Sequence, residues 1–195
     1  MPTYAIEARS FCVVGIASHN FWVLRDEQGN ALAELHGLAT DRATGHAIPI
    51  GTDEARHSLR AWHYPHTHEY AQSIGAQIDS TSFLRDDQPS RIVVTGDKDH
   101  ILARWNAAVQ AIAELNAMDL DYPRYGIKLF GKTINSNAAY RTFGELMDVP
   151  VPAFYGRLAP GLASCMLDRE RTEALRYREQ SALDRRGTPL MGNRA

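Results

Sequence analysis

Residues 18–36 have the sequence SHNFWVLRDEQGNALAELH, which predicts a β-hairpin. Apolar residues dominate both halves, and the polar run 26–30 between them is typical of a turn. The preceding residues 11–16 are apolar and β-branched, and they predict a strand of their own. We therefore expect three neighbouring strands, with the turn of the hairpin centred near Gln28.

Two more segments, 59–64 and 91–95, also have strand-like sequences. Between the hairpin and the first of them, residues 37–57 are rich in Gly, Thr, Asp and His and show no periodicity, which predicts a long loop. A polar stretch around 79–88 separates the two segments and has low strand propensity. Together with the hairpin, these segments predict an antiparallel sheet.

Helical periodicity appears in two places. Asp97 can cap a helix that ends near Met118, because apolar residues recur there at steps of three and four. A second helix is expected from about Ser136 to the prolines that follow residue 149, and a short strand is expected at 127–130. These features predict an α+β fold with a central antiparallel sheet and packed helices.

The C-terminal part of the chain has a different composition. Residues 157–195 hold eight Arg and five acidic residues, whereas the whole chain has a formal charge of −2. We predict one domain over 1–155, then a linker and a charged helical tail over 156–195, with the helix at 168–183. The overall charge gives no electrostatic argument for a nucleic-acid partner, although a basic tail could contact an anionic membrane.

Cysteine usage and the N-terminus favour a reduced compartment. Cys12 and Cys165 are the only cysteines, which excludes a disulfide framework and a four-cysteine zinc site. The N-terminus lacks a basic start followed by an apolar run, and no stretch approaches the roughly 18 apolar residues of a membrane span. We expect a soluble protein without a transmembrane segment, either cytoplasmic or secreted by a system that needs no signal peptide.

The predicted hairpin brings three polar residues together. Pairing about a centre near residue 28 places His19 beside about residue 37, so that Glu34 and His36 become its neighbours. Either of these two side chains could hold the imidazole of His19 in one tautomer. The hairpin therefore predicts an oriented histidine base.

Ser136 is the candidate nucleophile for this base. It lies in Asn135-Ser136-Asn137 at the predicted start of a helix, where free backbone amides and the helix dipole favour an anion. A serine hydroxyl needs a base to take its proton, so Ser136, His19 and a third polar residue would form a catalytic triad. The alternative is that Asn135 or Ser136 merely caps the helix.

Two other patterns suggest different chemistry. The histidines of 57–68, followed by Glu69, could hold a metal ion, since imidazole suits zinc, copper and nickel, but their spacing matches no known ligand set. We interpret this segment as a solvated loop. Residues 126–133 match the phosphate-loop expression G-x-x-x-x-G-K-[ST], yet a proline-containing turn precedes them instead of a buried strand, so nucleotide binding is not expected.

The order of these elements resembles the circularly permuted papain-like hydrolases, which include the permuted NlpC/P60 enzymes and the lecithin:retinol acyltransferase group. The resemblance spans roughly residues 11–150: a histidine strand with a hairpin, an intervening sheet and helix, and then a helix that opens with a short Asn-Cys-like motif. It implies that His19 is the base, His36 or Glu34 the third member, and Ser136 the nucleophile in place of the family's cysteine.

The resemblance implies a permuted papain-like domain that cleaves or transfers an acyl group from an ester or amide, in a lipid or a cell-wall peptide. A bacterial toxin-type effector is one role that it implies. Ser136 would carry the acyl group, the amides at the helix start near Asn135 and Asn137 would bind the oxyanion, and no cofactor or metal would be required. Two alternatives stay open: a catalytically inactive binding domain of the same fold, and a metal-dependent hydrolase that uses the histidines of 57–68.

Overall fold

A five-stranded antiparallel sheet forms the centre of the computed structural model, which describes residues 3–15, 17–128 and 130–179. The strands are β1 (Tyr4–Val14), β2 (Ala17–Arg25), β3 (Ala31–Asp41), β4 (His57–Pro65) and β5 (Ser90–Gly96). Their order in the sheet is β4-β3-β2-β1-β5, and each neighbouring pair is antiparallel. The predicted α+β class with a central antiparallel sheet is confirmed.

The β2–β3 hairpin forms where the sequence predicts it. Trp22 pairs with Leu35, which centres the hairpin between residues 28 and 29. The Asp26 carboxylate accepts hydrogen bonds from the backbone amides of Gln28 and Asn30, at 2.9 and 2.7 Å. This Asx-type turn fixes the register, because it satisfies the backbone at the point where the chain reverses.

Four helices complete the described part of the chain. They are α1 (His68–Ser73), α2 (Lys98–Ala117), α3 (Ser136–Leu146) and α4 (Arg169–Leu175). Asp97 caps α2 by accepting from the backbone amide of His100, as the sequence predicts, and Asn135 caps α3. No helix within the described ranges has both the length and the apolar character to cross a membrane.

The two long helices pack on one face of the sheet and form the main core with it. Trp22, Trp105 and Phe143 are fully buried there, and the indole of Trp22 donates to the backbone oxygen of Tyr140 at 2.8 Å. Burying each such side chain stabilises the fold by about 1.5–3 kcal/mol. The other face of the sheet is crossed by the segment 74–89, from which Phe83 packs against the ring of His36.

Four local predictions are wrong, in whole or in part. Residues 37–41, expected at the start of a long loop, form the end of β3. Ile127, Lys128 and Phe130 are not in a strand. The histidine-rich segment, interpreted as a solvated loop, instead forms the end of β4 and the start of α1, whose first turn is capped by the Thr67 side chain. The helix expected over 168–183 ends at Leu175, and residues 180–183 lie outside the described ranges.

Part of the predicted tail packs on the domain. The backbone amide of Ser18 on β2 donates to the backbone oxygen of Leu158 at 2.8 Å, and the amide of Tyr177 donates to the oxygen of Leu146 at 2.7 Å. Met166 and Leu167 are buried in the core. Residues 157–178 therefore contribute to this fold, while the domain boundary at 155 stays a prediction and 180–195 lie outside the described residues.

Candidate active site

A chain of three buried polar side chains crosses the outer face of β2 and β3. His19 Nε2 lies 3.0 Å from His36 Nδ1, and His36 Nε2 lies 2.8 Å from a carboxylate oxygen of Glu34. Alternation along the strands puts all three on the face opposite α2 and α3. The structure thus brings the predicted base and both candidate third members together in the order Glu34, His36, His19.

Further donors surround the carboxylate of Glu34, which is fully buried. Its second oxygen accepts from His66 at 2.8 Å and from the Ser82 hydroxyl at 2.6 Å, and the Phe83 amide lies 3.1 Å from the first. Burial on its own would raise the pKa of Glu34, but the hydrogen bonds from His36, His66 and Ser82 hold that pKa well below its usual range. Glu34 is therefore a carboxylate and can only accept hydrogen bonds.

The ionised carboxylate fixes the proton positions along the chain. His36 must carry its proton on Nε2 to donate to Glu34, so a neutral His36 offers a lone pair at Nδ1. His19 must then carry its proton on Nε2 to donate to His36. The remaining nitrogen, Nδ1 of His19, is left unprotonated and available as a base.

Both imidazoles are neutral near pH 7. Burial, followed by the charge of His36, lowers the pKa of His19 well below its ordinary value, against an opposing effect of Glu34. Burial also lowers the pKa of His36, although its hydrogen bond to Glu34 acts in the opposite direction. A base that stays deprotonated at neutral pH is what proton abstraction requires.

The sheet opens beside His19. In the described strands, the β2–β3 ladder runs from Arg25 and Ala31 only as far as Trp22 and Leu35. Beyond that point β2 and β3 no longer pair with each other. Among the described strands β2 continues beside β1 and β3 beside β4, and isolated bridges join Ala17 to Leu158 and Thr40 to Ala47. Residues from both faces of the sheet can therefore meet at this gap.

Asn137 of α3 fills the gap and replaces the missing strand partner. Its side-chain oxygen accepts from the backbone amide of Asn20 at 3.0 Å, and its amide nitrogen donates to the backbone oxygen of Ser18 at 2.9 Å. These bonds hold the first turn of α3 against β2 near His19. Gly37 lets α3 lie equally close to β3, because a Cβ at residue 37 would lie 2.2 Å from the Cβ of Ala139.

The side chain of Asn135 also holds the start of α3 in place. Its side-chain oxygen accepts from the backbone amides of Asn137 and Ala138, and its nitrogen donates to the backbone oxygens of Gly126 and Pro160. A Cβ at Gly161 would lie 2.3 Å from that side-chain oxygen. With their amides occupied in this way, Asn135 and Asn137 position the helix start rather than offer side-chain donors to an oxyanion.

Ser136 is the first residue of α3 and is buried at the edge of this gap. Tyr122, which the sequence did not indicate, lies against it: burial raises the pKa of the Tyr122 phenol, and hydrogen bonds from the hydroxyl and backbone amide of Ser136 oppose that rise. Within the described residues, no hydrogen bond joins the Ser136 hydroxyl to His19. The two side chains share one cavity instead.

This cavity has a volume of about 430 Å³ and a mostly apolar wall. His19, Ser136 and Tyr122 line it together with aliphatic residues, among them Val13, Leu38, Ile48, Ile50, Ile127 and Leu158. A second cavity of about 780 Å³ shares His19 and Leu38 with it and extends under Phe83 toward Arg85. His19 therefore lies at the boundary between the mostly apolar cavity beside Ser136 and the second, more polar cavity.

The histidines of 57–68 do not converge. His57 accepts from the backbone amide of Thr52, His63 lies against Tyr70 and Trp105, and His66 bonds to Glu34. In the described ranges, no group of three or more His, Cys, Asp or Glu side chains is arranged to hold a metal ion.

His66, Ser82, Phe83 and Tyr122 were missed from the sequence. All four reach the site through tertiary packing, and no local pattern marks them. Comparison with known proteins finds no match to this chain among family models, curated proteins or solved structures. The chemistry of the site is therefore inferred from its own geometry.

Proposed function

We propose that this chain is a serine-dependent acyl hydrolase or acyltransferase, which acts on an ester or amide through an acyl-enzyme on Ser136. One observation carries the proposal. The chain of hydrogen bonds from Glu34 through His36 leaves a basic nitrogen on His19, and His19 lines the same cavity as Ser136 at the start of α3. A base held in one tautomer beside a serine has the logic of a catalytic triad.

In the proposed reaction, the Ser136 hydroxyl turns from Tyr122 to His19 when substrate enters the cavity. Its oxygen attacks the acyl carbon, and Nδ1 of His19 takes the hydroxyl proton. The carbonyl electrons move onto the oxygen and return as the leaving group departs with the proton from His19. Water or a second acceptor then attacks the acyl-enzyme by the same steps in reverse, which frees Ser136.

Two donors could stabilise the oxyanion. Asn135 caps the amides of Asn137 and Ala138, so the amide of Ser136 itself faces the phenol of Tyr122. A ligand oxygen placed between them would accept from the Ser136 amide and from the Tyr122 hydroxyl, which burial keeps protonated. Removing one such donor typically lowers the rate by about 10²- to 10³-fold.

The cavity walls favour an apolar acyl group. Aliphatic side chains from five separate segments line this cavity. Binding energy for such a group comes from burial of its apolar surface. Of the two substrate classes expected from the sequence, a lipid acyl chain therefore fits this cavity better than a cell-wall peptide.

The resemblance to the permuted papain-like hydrolases is part of the same proposal. It is supported by the order of the elements: a histidine on β2, polar partners on β3, and a candidate nucleophile that opens α3. The family's cysteine is a serine here. Because a hydroxyl is far less acidic than a thiol, the proposed reaction depends more strongly on His19 and on the residues behind it.

Labelling with a fluorophosphonate probe tests the proposal directly. We expect the probe to modify Ser136 and not Ser18, the other serine that lines the cavity, as read from peptide masses. His19→Ala should reduce the labelling rate by about 10³-fold or more, since loss of the base leaves an ordinary hydroxyl. His46→Ala is the matched control, because it removes an exposed imidazole from a loop and leaves the relay intact.

Circular dichroism must show that each variant is folded. Labelling of Ser136 that continues unchanged in folded His19→Ala protein would contradict the proposal.

A catalytically inactive binding domain is the second candidate, and one observation favours it. Within the described residues His19 bonds to His36, and no hydrogen bond joins it to the Ser136 hydroxyl. In that case a fluorescent fatty-acid probe would bind the cavity with equal affinity in wild type and in His19→Ala, and Ser136 would not be labelled. Binding together with His19-dependent labelling would instead support the enzyme.

A further inference from the structure

Large apolar side chains are exposed on two segments, around Ile127 and around Leu158, that contribute residues to the wall of the cavity that holds Ser136. Phe130 and Tyr155 are 92% and 105% exposed, and Tyr125, Ile127 and Leu158 are also exposed. The last three line the cavity, while Phe130 and Tyr155 are each three residues from one of them in the chain. We call these five residues the mouth rim. Exposed apolar side chains gathered at one place mark an interaction surface.

The segments that carry the mouth rim contain basic residues and no acidic ones. No Asp or Glu occurs between Asp121 and Glu145, or between Asp148 and Asp168, although the chain as a whole has more acidic than basic residues. Exposed Lys128 and Lys132 lie in the first of these segments. The surface beside the cavity mouth is therefore both apolar and basic.

Two nearby arginines have contacts of their own. The Glu54 carboxylate accepts a hydrogen bond from the backbone amide of Arg124, and the guanidinium of Arg157 contacts Cys12. The two lysines and the exposed rings remain as the distinctive features.

Acidic residues collect at the opposite end of the sheet. The β2–β3 turn brings Asp26 and Glu27 there, and they share a surface depression with Glu69, Asp97 and one basic residue, Lys98. Because β2 runs from the cavity mouth at Ala17 to this turn at Arg25, the apolar and basic end is separated from the acidic end by the length of a strand. A negatively charged surface would thus attract the mouth rim and repel the far end.

We propose that the mouth rim docks on an anionic lipid bilayer, with the exposed rings inserted at the interface and Lys128 and Lys132 against the headgroups. Aromatic and aliphatic side chains with flanking lysines are the combination that binds such an interface. Docking in this orientation opens the cavity toward the acyl chains. The proposal rests on the proposed function for what the surface serves, the supply of an acyl lipid to Ser136.

Vesicle flotation measures the docking separately from catalysis. Wild type and Ser136→Ala are mixed with vesicles of equal parts phosphatidylcholine and phosphatidylglycerol, or of phosphatidylcholine alone. We expect both proteins to float with the anionic vesicles, to bind the neutral ones much more weakly, and to be released at 1 M salt, where charge attraction is screened to roughly 3 Å. Equal binding by the two proteins shows that docking needs no acyl-enzyme.

Variants of the mouth rim test which residues are responsible. Phe130→Ser and Tyr155→Ser should each lower the affinity for anionic vesicles by about tenfold. Lys128→Gln and Lys132→Gln should each lower it by about fivefold. Ile92→Ser is the matched control, because Ile92 is an exposed aliphatic residue on β5, away from the mouth, and its loss should leave binding unchanged.

Three results would overturn the docking proposal: no flotation of wild type with anionic vesicles, rim variants that float like Ile92→Ser, or equal binding to neutral vesicles. A dimer in analytical ultracentrifugation that the rim variants abolish would also overturn it, since the rings would then contact a second copy of the chain. Flotation that depends on the rim, with no labelling of Ser136, would uphold the docking and reject the proposed enzyme.

Discussion

His36 and His63 lie on neighbouring strands and both have a lowered pKa, yet they belong to opposite faces of the sheet. His36 is fully buried and His63 is partly buried. His63 packs under α2, where its Nε2 lies 3.3 Å from the Tyr70 hydroxyl and 3.4 Å from the indole nitrogen of Trp105. His36 lies on the outer face between a carboxylate and His19. The Nε2 of His63 therefore contacts two neutral side chains. His36 instead links the Glu34 carboxylate to His19, which lines the cavity.

The difference shows that burial alone does not indicate function. Burial lowers the pKa of His63 to about 4, with a smaller contribution from the charge of His66, and it lowers the pKa of His36 as well. The indole N–H of Trp105 also fixes the tautomer of His63. Only His36 is held by an anion and has a second imidazole that passes the effect on. The reactivity of the site therefore depends on Glu34 at one end of the relay and on the cavity at the other.

The strongest test of this comparison is to remove the charge of Glu34. In Glu34→Gln, a side-chain NH₂ can face His36 and shift its proton to Nδ1, which forces His19 to hold its own proton on the nitrogen that should act as the base. We expect the rate of probe labelling or turnover at Ser136 to fall by about 10³-fold, because a wrong tautomer disables a triad without removing any side chain.

His63→Gln provides the matched change on the other face. It also replaces a buried group by an amide, and it leaves the relay untouched, so the labelling rate should stay within about threefold of wild type. Both variants must be folded by circular dichroism. If Glu34→Gln reacted as fast as His63→Gln, the two clusters would be equivalent and the relay would have no role in activating Ser136.

Much of this relay could be predicted from the sequence. Alternating apolar residues and the Asp26 turn determine the hairpin and its register, and the register brings His19 near Glu34 and His36. The sequence does not reveal where the β2–β3 ladder stops. That depends on Asn137, more than a hundred residues away, which takes over the hydrogen bonds of the missing partner strand.

The remaining errors also have tertiary causes. Apolar residues at 127–130 suggest a strand, but a strand needs a neighbour, and in the described ranges Ile127 and Phe130 are exposed beside the cavity instead. Ser82 and Phe83 lie in a polar stretch without periodicity, yet they hold the Glu34 carboxylate. Contacts that one loop makes with one buried charge leave no periodic signal in a single sequence.

The pH dependence of the reaction gives a second test. His19 acts as a base only when neutral, and burial together with His36 lowers its pKa below the ordinary 6.5. Activity should therefore persist as the pH falls through 6.5 and then decrease about tenfold per pH unit below the lowered pKa. Labelling rates from pH 4 to 9 measure this, with circular dichroism at each pH to confirm folding.

A midpoint at or above pH 6.5 would mean that the base is an exposed imidazole, and His19 would lose its assigned role. His63→Gln should show the same profile as wild type, because His63 does not face the cavity. The profile of activity and the profile of stability can thus be assigned to different histidines.

The smallest expected effect concerns stability and belongs to His63. Its pKa is about 4 in the folded protein and about 6.5 in the unfolded chain, so between these pH values the unfolded chain binds more protons and stability rises with pH. The contribution is fully present above pH 6.5 and is lost as the pH falls toward 4. Between pH 7.5 and 5 it amounts to about 2 kcal/mol, at 1.36 kcal/mol per pKa unit.

Urea unfolding at the two pH values measures this loss in wild type and in His63→Gln. The other titrating groups, including His19 and His36, are present in both proteins, so their contributions cancel in the difference. Wild type should lose about 2 kcal/mol more than the variant on acidification. Equal losses would show that His63 has the same pKa in the folded and the unfolded state. Packing under α2 would then not lower the pKa of this imidazole.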